Sequence, residues 1–349
     1  MSAPLVSVIL PVYNGADCVG AAIDSILRQT FRDFELIAIN DGSTRDDTAG
    51  VLERAAVAAG DARLRVVNLD RNRGLAGALN NGISLARGRY IARQDQDDIS
   101  LPERLEAQVQ YLEAHPDCAL LGTRAEVWVG KTPSGRHLDH PIDNASLQFE
   151  LLINSPFVHP SVVMRRSALD AVGPYATAAD RQPEDFELWS RIARRFSVAN
   201  LPERLVIYRE VPGSMSRIGV NPFQQGVIRI ATENLTHAGG GAFPMTVCRD
   251  AAALINGAYD GVSPHCDIGA ICDLVRAAAR RIEADNPGAD LACRRDRLIC
   301  NLLEHDKARR PLGRLRNMLR RTPVVGPAAM RLARIVRDRS LSQKTREQG

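Results

Sequence analysis

Residues 6–29 read VSVILPVYNGADCVGAAIDSILRQ. Val6 to Leu10 is an apolar run broken only by Ser7, with the length and branched content of a buried strand. Pro11 and the turn Asn14-Gly15 bound it. Asp17 then stands as cap to a helix whose Val19, Ile23, Ile26 and Leu27 recur at helical spacing. A strand, a tight turn and an amphipathic helix within 24 residues make the opening of a β–α unit.

The following hundred residues repeat that phrase. Phe34 to Ile39 reads as a second strand, ending in the turn Asn40-Asp41-Gly42-Ser43, with a helix to Ala59 stopped by Gly60. Leu64 to Leu69 is a third strand and Leu75 to Arg87 a third helix. Tyr90 to Arg93 is a fourth strand, Ser100-x-x-Glu103 reads as a capping box for a helix to His115, and Cys118 to Val129 as a further strand. Such alternation predicts right-handed crossovers and a mostly parallel sheet with helices on both faces. Beyond about residue 130 the order loosens. A polar loop (131–141), a helix at 144–153, a Gly/Pro/Ala-rich loop (173–183), the amphipathic stretch PEDFELWSRIARRF and a last strand, Leu205 to Arg209, precede a wholly helical pattern after 221.

In an open parallel sheet, ligands bind at the carboxyl ends of the strands. Pro11-Tyr13-Asn14, Asn40-Asp41-Gly42 and Asp95-Asp97-Asp98 all fall just past strand ends, so the topology gathers them on one edge. The third group, in ARQDQDDIS (92–100), crowds like charges that raise one another's pKa unless a cation sits among them. Carboxylate oxygens of this kind suit Mg²⁺ or Mn²⁺. A strand end would turn Asp95 and Asp97 to the same side and Gln96 elsewhere. Asp98 has two readings, a further ligand or part of an acidic helix start.

Composition fits an ordinary globular chain, 45% apolar and 25% charged. No run reaches the ~20 apolar residues of a membrane-spanning helix, and the first residues lack a secretory pattern. Seven scattered cysteines without a C-x-x-C pair read as core packing in a cytoplasmic protein. The net charge of +4 is uneven. Residues 306–349 hold 13 Lys/Arg against 3 Asp/Glu, a net +10, leaving 32 against 38, a net −6, for the rest. That argues against nucleic acid as a partner of the main body.

The blocks VSVILPVYNG, AIDSILRQTFRDFELIAINDGSTRDDT, NRGLAGALNNGISLARGRYIARQDQDDI and HPSVVMRR…PEDFELWSRIARR, in this order, resemble the inverting family 2 glycosyltransferases of the GT-A fold. The resemblance covers about the first 220 residues. It implies a catalytic domain over 1–220; the helical pattern after it gives an extension over 221–305 and the charge count a basic tail over 306–349. It implies a nucleotide-diphospho-sugar donor and a divalent cation, Mn²⁺ or Mg²⁺. Asp95-Gln96-Asp97 matches the family's D-x-D motif, which makes Asp97 the direct metal ligand and gives Asp95 a ribose or water-mediated contact. Asp41 would accept the N3–H of uracil or thymine, with Pro11, Tyr13 and Asn14 across the base pocket and Arg71 or Arg73 near base or phosphates. Glu184-Asp185 matches the E-D motif, with Asp185 as catalytic base and Glu184 as an orienting or acceptor contact. An inverting transfer needs one such base, because a metal neutralises the departing diphosphate. His159 falls in a block near sugar or acceptor, and Trp189 reads as core. Many relatives carry a His where this chain has Val211, which leaves Arg209, Ser214, Ser216 or Arg217 to meet the phosphates or means weaker metal binding, and Gly213 among serines suggests a lid.

The tail spaces Leu312, Leu315, Met318 and Leu319, then Leu332, Ile335 and Val336, among arginines. That composition fits a helix on an anionic membrane surface as well as a solvated basic end. The reading is a glycosyltransferase acting on a glycan or lipid-linked acceptor in surface polysaccharide synthesis, peripheral on the inner membrane face. A nucleotidyltransferase would carry a Gly-rich, lysine-containing loop where PVYNGAD stands, and a non-catalytic nucleotide-sugar-binding module finds support only in Val211.

Overall fold

Strand β1 (Val6–Val12) forms on the first apolar run, and all seven residues are buried. Alternation sends Ile9 to one face and Val6, Val8, Leu10 and Val12 to the other. β1 pairs in parallel with β2 (Phe34–Asn40) and with β4 (Tyr90–Arg93), and β3 (Leu64–Asn68) extends the sheet beyond β2. The computed structural model describes residues 3–178, 181–210 and 223–309. Helices α1 (Val19–Leu27) and α2 (Thr48–Ala59) pack on one face with α4 (Arg104–Ala114), through Ile23, Ile26, Leu52 and Leu105. Helix α3 (Gly74–Leu85) and helix α7 (Glu184–Ala193) cover the other, through Leu79, Phe186, Trp189 and Ile192.

The strand order is β3-β2-β1-β4-β8-β6-β9-β5, with β7 on β6. The first four strands are parallel. Beyond them the sheet is mixed: β8 (Val163–Arg165) runs antiparallel to β4 and to β6 (Cys118–Val129), and β9 (Ser197–Glu210) runs parallel to β6. Chain order reverses between β1 and β4, where an open sheet leaves a crevice between loops that diverge to opposite sides.

Several local expectations change. The stretch 131–141 is no plain loop, because Thr132–Leu138 forms β7 against β6 in spite of its polar composition. The last strand begins at Ser197 rather than Leu205, drawn out by the length of β6. Ser100 lies in β5 (Ile99–Ser100) and its hydroxyl donates to Gln94, so no capping box opens α4. Asp17 does not cap α1, whose N-cap residue, Cys18, makes no side-chain capping bond. Gly60 does stop α2, in a left-handed conformation. Of the cysteines, 118, 248 and 272 are buried while 293 and 300 are exposed, and all are free thiols.

Helix α5 (Asn144–Glu150) and the short α6 (Arg166–Val172) precede α7. After 223 come α8 (Gln224–Ala238), α9 (Met245–Ile255), α10 (Ile268–Asp285) and α11 (Ala292–Arg309). Their core takes in Ala145, Phe149 and Leu152 around α5, while Val227 and Ile230 of α8 join the core beneath the sheet. Among the described residues no helix is long and apolar enough to cross a membrane. The tail from 310 onward lies outside the described residues.

Candidate active site

The ends of β1, β2 and β4 meet as the topology requires. The Asp41 amide donates to the Val12 carbonyl at 2.8 Å, joining the first two strand ends. Tyr13 follows β1 and is 40% exposed. Pro11 is buried inside β1 opposite Ile39. Asn14 adopts φ 49°, and its side-chain oxygen accepts the amides of Thr44 and Arg45 at 3.2 and 3.1 Å. That carboxamide oxygen therefore holds the loop after β2.

Asp41 is buried, and one of its oxygens accepts the Arg73 amide at 2.8 Å. Burial pushes its carboxyl up, while the amides of Arg73 and Gly74 hold it down. Gly42 turns the chain at φ +63°, and a Cβ there would stand 2.4 Å from the Arg71 backbone. Only glycine permits that approach, which lays the DRNRG loop on the NDGS turn. Arg71 itself is exposed on this edge.

Residues 94–98 form a turn after β4 rather than a continued strand, so alternation does not set their directions. Gln96 reaches back to Tyr13, accepting its amide at 2.8 Å and donating to its carbonyl at 3.3 Å. This pair of bonds clasps the acidic loop to the end of β1. Carboxylate oxygens of Asp95, Asp97 and Asp98 lie within 4.8 Å of one another. Burial, then repulsion from Asp95, pushes the Asp97 carboxyl up to about 6. Asp98 is driven well above the carboxylate range by burial and by both neighbours. It is no helix-start residue: Oδ1 accepts the Arg209 amide at 2.7 Å, and the buried Oδ2 has no hydrogen-bond partner. Mutual repulsion and an orphaned buried carboxylate oxygen are what a hard divalent cation would relieve, so the donor set fits one. Arg209 bonds through Nε to the Asp97 carbonyl and sits beside this loop.

A second carboxylate pair begins α7. Glu184 is buried, and burial followed by repulsion from Asp185 pushes its carboxyl up to about 7. Asp185 accepts the Phe186 amide at 2.7 Å, and burial raises its pKa against that bond and the Arg93 charge. Trp189 is fully buried as expected of core, ringed by Phe157, His159 and Tyr175 at centroid distances of 6.2, 5.8 and 6.0 Å. His159 Nε2 stands 3.3 Å from the Tyr175 hydroxyl. Burial and the nearby Arg93 hold this imidazole well below its usual pKa, so it is neutral at pH 7.

Sequence reasoning missed Arg93, which is 1% exposed and forms an ion pair with Asp95. Its charge acts on Asp97, Asp98, Glu184 and Asp185 alike, making it the cation common to both carboxylate groups. The readable cue was an arginine closing an otherwise apolar strand, since a fully buried charge demands partners. Arg104 was missed too. It is buried beneath the loop, donating to the Arg93 carbonyl at 2.8 Å and to Ser100 Oγ at 2.8 Å. Burial, then Arg93, lowers it to about 9. Val211, Gly213, Ser214, Ser216 and Arg217 lie outside the described residues.

Residues 7–173 match the model of Glycosyl transferase family 2. The chain is 35% identical over 218 residues to the putative glycosyltransferase EpsE of Bacillus subtilis, covering 62% of this chain and 77% of that protein. It is 32% identical over 206 residues to the amylovoran biosynthesis glycosyltransferase AmsE of Erwinia amylovora, covering 58% and 75%. In structure it is similar to residues 1–349 of S. aureus TarS in complex with UDP-GlcNAc, with a TM-score of 0.57 and 20% identity over 87% of this chain and 91% of that one. The mannosyltransferase PcManGT of Pyrobaculum calidifontis, in complex with GDP-Man and Mn²⁺, gives 0.52 and 18% over 88% of each. The likeness to these structures carries the GT-A fold, and the curated relatives carry the activity: this chain belongs to glycosyl transferase family 2 and is a glycosyltransferase.

Proposed function

We propose that this enzyme transfers a sugar, with inversion, from a UDP- or dTDP-sugar to a hydroxyl of a glycan or glycolipid in cell-surface polysaccharide synthesis. The observation that carries the reading is the arrangement at the β1/β4 crevice. A cation-fitting loop at Asp95 and Asp97 and the carboxylate pair of α7 share one buried arginine, Arg93, and Tyr13 and Asp41 follow the neighbouring strand ends. The relatives add weight, since AmsE is named for amylovoran biosynthesis and TarS holds UDP-GlcNAc.

Asp97 would hold Mn²⁺ or Mg²⁺, with Asp95 near it or on the ribose, and PcManGT with its Mn²⁺ supports that pairing. Bound there, the ion supplies charge neutralisation for the departing diphosphate. Asp41 accepts the base N3–H and the Tyr13 ring stacks on it, while Arg71 and Arg209 meet phosphates from either side. Asp185 takes the proton of the attacking acceptor hydroxyl, Glu184 orients that hydroxyl, and the neutral His159 lies in the wall behind. We assign catalysis to 1–220 and a membrane-surface contact on the inner leaflet to the basic tail, 306–349, with 221–305 as a helical extension between them.

One observation favours a second reading of the base. Glu184, with its carboxyl near 7, is poised for proton transfer at neutral pH. Its titration also has a stability consequence. Between its ordinary 4.5 and the folded value of about 7, the native state keeps a proton that the unfolded chain releases. Stability therefore falls as pH rises through that window, by up to about 3 kcal/mol. Glu184→Gln is expected to remove most of that slope, read as melting temperature from pH 4.5 to 8. A mutant curve as steep as wild type would contradict the raised carboxyl. An acid limb of kcat that disappears in Glu184→Gln would give the base role to Glu184.

A further inference from the structure

We propose that helix α8, through Gly226 and Asn234, is the positioning element for the carboxylates of α7. The inference rests on the reading of that pair as the site of proton transfer, and it assigns a task to a helix that carries no motif.

Gly226 stands in the first turn of α8, where glycine is a poorer helix former than alanine, by up to about 1 kcal/mol in a helix interior, so its presence asks for a reason. At Gly226 a Cβ would fall 1.6 Å from the Gln182 carbonyl oxygen and 2.8 Å from its carbon. That peptide stands immediately before Pro183, Glu184 and Asp185. The α8 backbone thus rests directly on the segment that delivers the two carboxylates, and no side chain can stand between them.

The other end of α7 is tied as well. Asn234 is buried, and its Nδ2 donates to Ser190 Oγ at 2.8 Å and to the Leu151 carbonyl at 2.6 Å. Its Oδ1 accepts from Arg194 Nη2 at 2.5 Å. Ser190 Oγ in turn donates to the Phe186 carbonyl at 2.7 Å, one residue past Asp185. Between these anchors Val227 and Ile230 share a core with Phe186, Trp189 and Ile192. Near the start of α7, Arg181 donates to Glu233 at 3.4 Å. The acidic loop follows β4, and Tyr13 and Asp41 follow β1 and β2. Among the contacts of the described residues, α8 meets the α7 segment that carries the pair, so a shift of α8 moves the base relative to the donor.

Gly226→Ala tests this, with Gly20→Ala of α1 as control, because a Cβ at Gly20 meets nothing within 4 Å. Turnover is read as nucleoside diphosphate released from a panel of UDP-, dTDP- and GDP-hexoses. Affinity is read with UDP and Mn²⁺, and local order by amide hydrogen exchange. A displacement of about 1 Å at the base predicts a loss of about 100-fold in kcat. UDP affinity should stay within about twofold, with faster exchange confined to residues 182–190, and Gly20→Ala should match wild type. Wild-type kcat and exchange in Gly226→Ala would overturn the inference. So would parallel losses of UDP binding and of protection throughout the sheet, which mean general destabilisation. Should Asp185→Asn and Glu184→Gln both turn over normally, the base reading fails by itself, and the exchange pattern still decides whether α8 positions α7.

Discussion

Asp185→Asn is expected to lower transfer by 10²–10⁴-fold, the range of a lost general base, while UDP affinity in the presence of Mn²⁺ stays within about twofold. The substitution keeps the size of the side chain and its ability to accept the Phe186 amide, which Asp185 now holds at 2.7 Å. Helix α7 should therefore start as before. What disappears is the capacity to take a proton. The donor elements, Tyr13, Asp41 and the acidic loop, sit on other strand ends, and the acidic loop acts on Asp185 through the charges of Arg93 and Asp95. Single-turnover release of nucleoside diphosphate, set beside calorimetric UDP binding, separates the two effects. Equal loss of both would remove Asp185 from the role of base, and Glu184→Gln measured alongside shows whether its neighbour holds that role.

Arg93→Met is expected to destabilise the fold by about 3–5 kcal/mol, because it leaves buried carboxylates without their shared cation. The pH dependence distinguishes this from lost packing. Arg93 works against the upward shifts of Asp97, Asp98, Glu184 and Asp185, all of which burial drives upward. Removing it raises those folded-state values further. Protonated carboxyls are then favoured still more in the native state, so stability falls more steeply as pH rises. The deficit against wild type should be small near pH 5 and large near pH 8, with Arg93→Lys recovering part of it. Melting curves at the two pH values decide. A deficit equal at both would mean that the side chain acts by packing alone.

How far the sequence was legible follows the range of the interactions. β1, β2 and β4 and their helices declared themselves because each strand's apolar run and each helix's periodicity is local. The crevice at the β1/β4 reversal followed from those few elements. β7 was hidden because its polar residues pair only by virtue of β6, and β9 begins early for the same reason. At the candidate site, Asp41, Asp97 and Asp185 are proposed through the motifs they occupy. Asn14 and Pro11 stand in such motifs as well; the Asn14 oxygen holds the loop after β2 and Pro11 is buried in β1. Arg93, Gln96 and Arg104 were not seen, since their partners lie across strand ends that no local pattern connects. The contact of Gly226 with Gln182 is likewise a matter of packing, 44 residues apart in the chain.

The claim that most needs a direct test is that the acidic turn after β4 is a cation-held diphosphate site. Calorimetric titration of UDP into the protein, with and without Mn²⁺, and repeated on Asp97→Ala, addresses it. Binding is expected to require Mn²⁺ in the wild type and to weaken at least tenfold, about 1.4 kcal/mol, in the mutant. Binding of UDP, dTDP and GDP that is indifferent both to Mn²⁺ and to Asp97→Ala would contradict it.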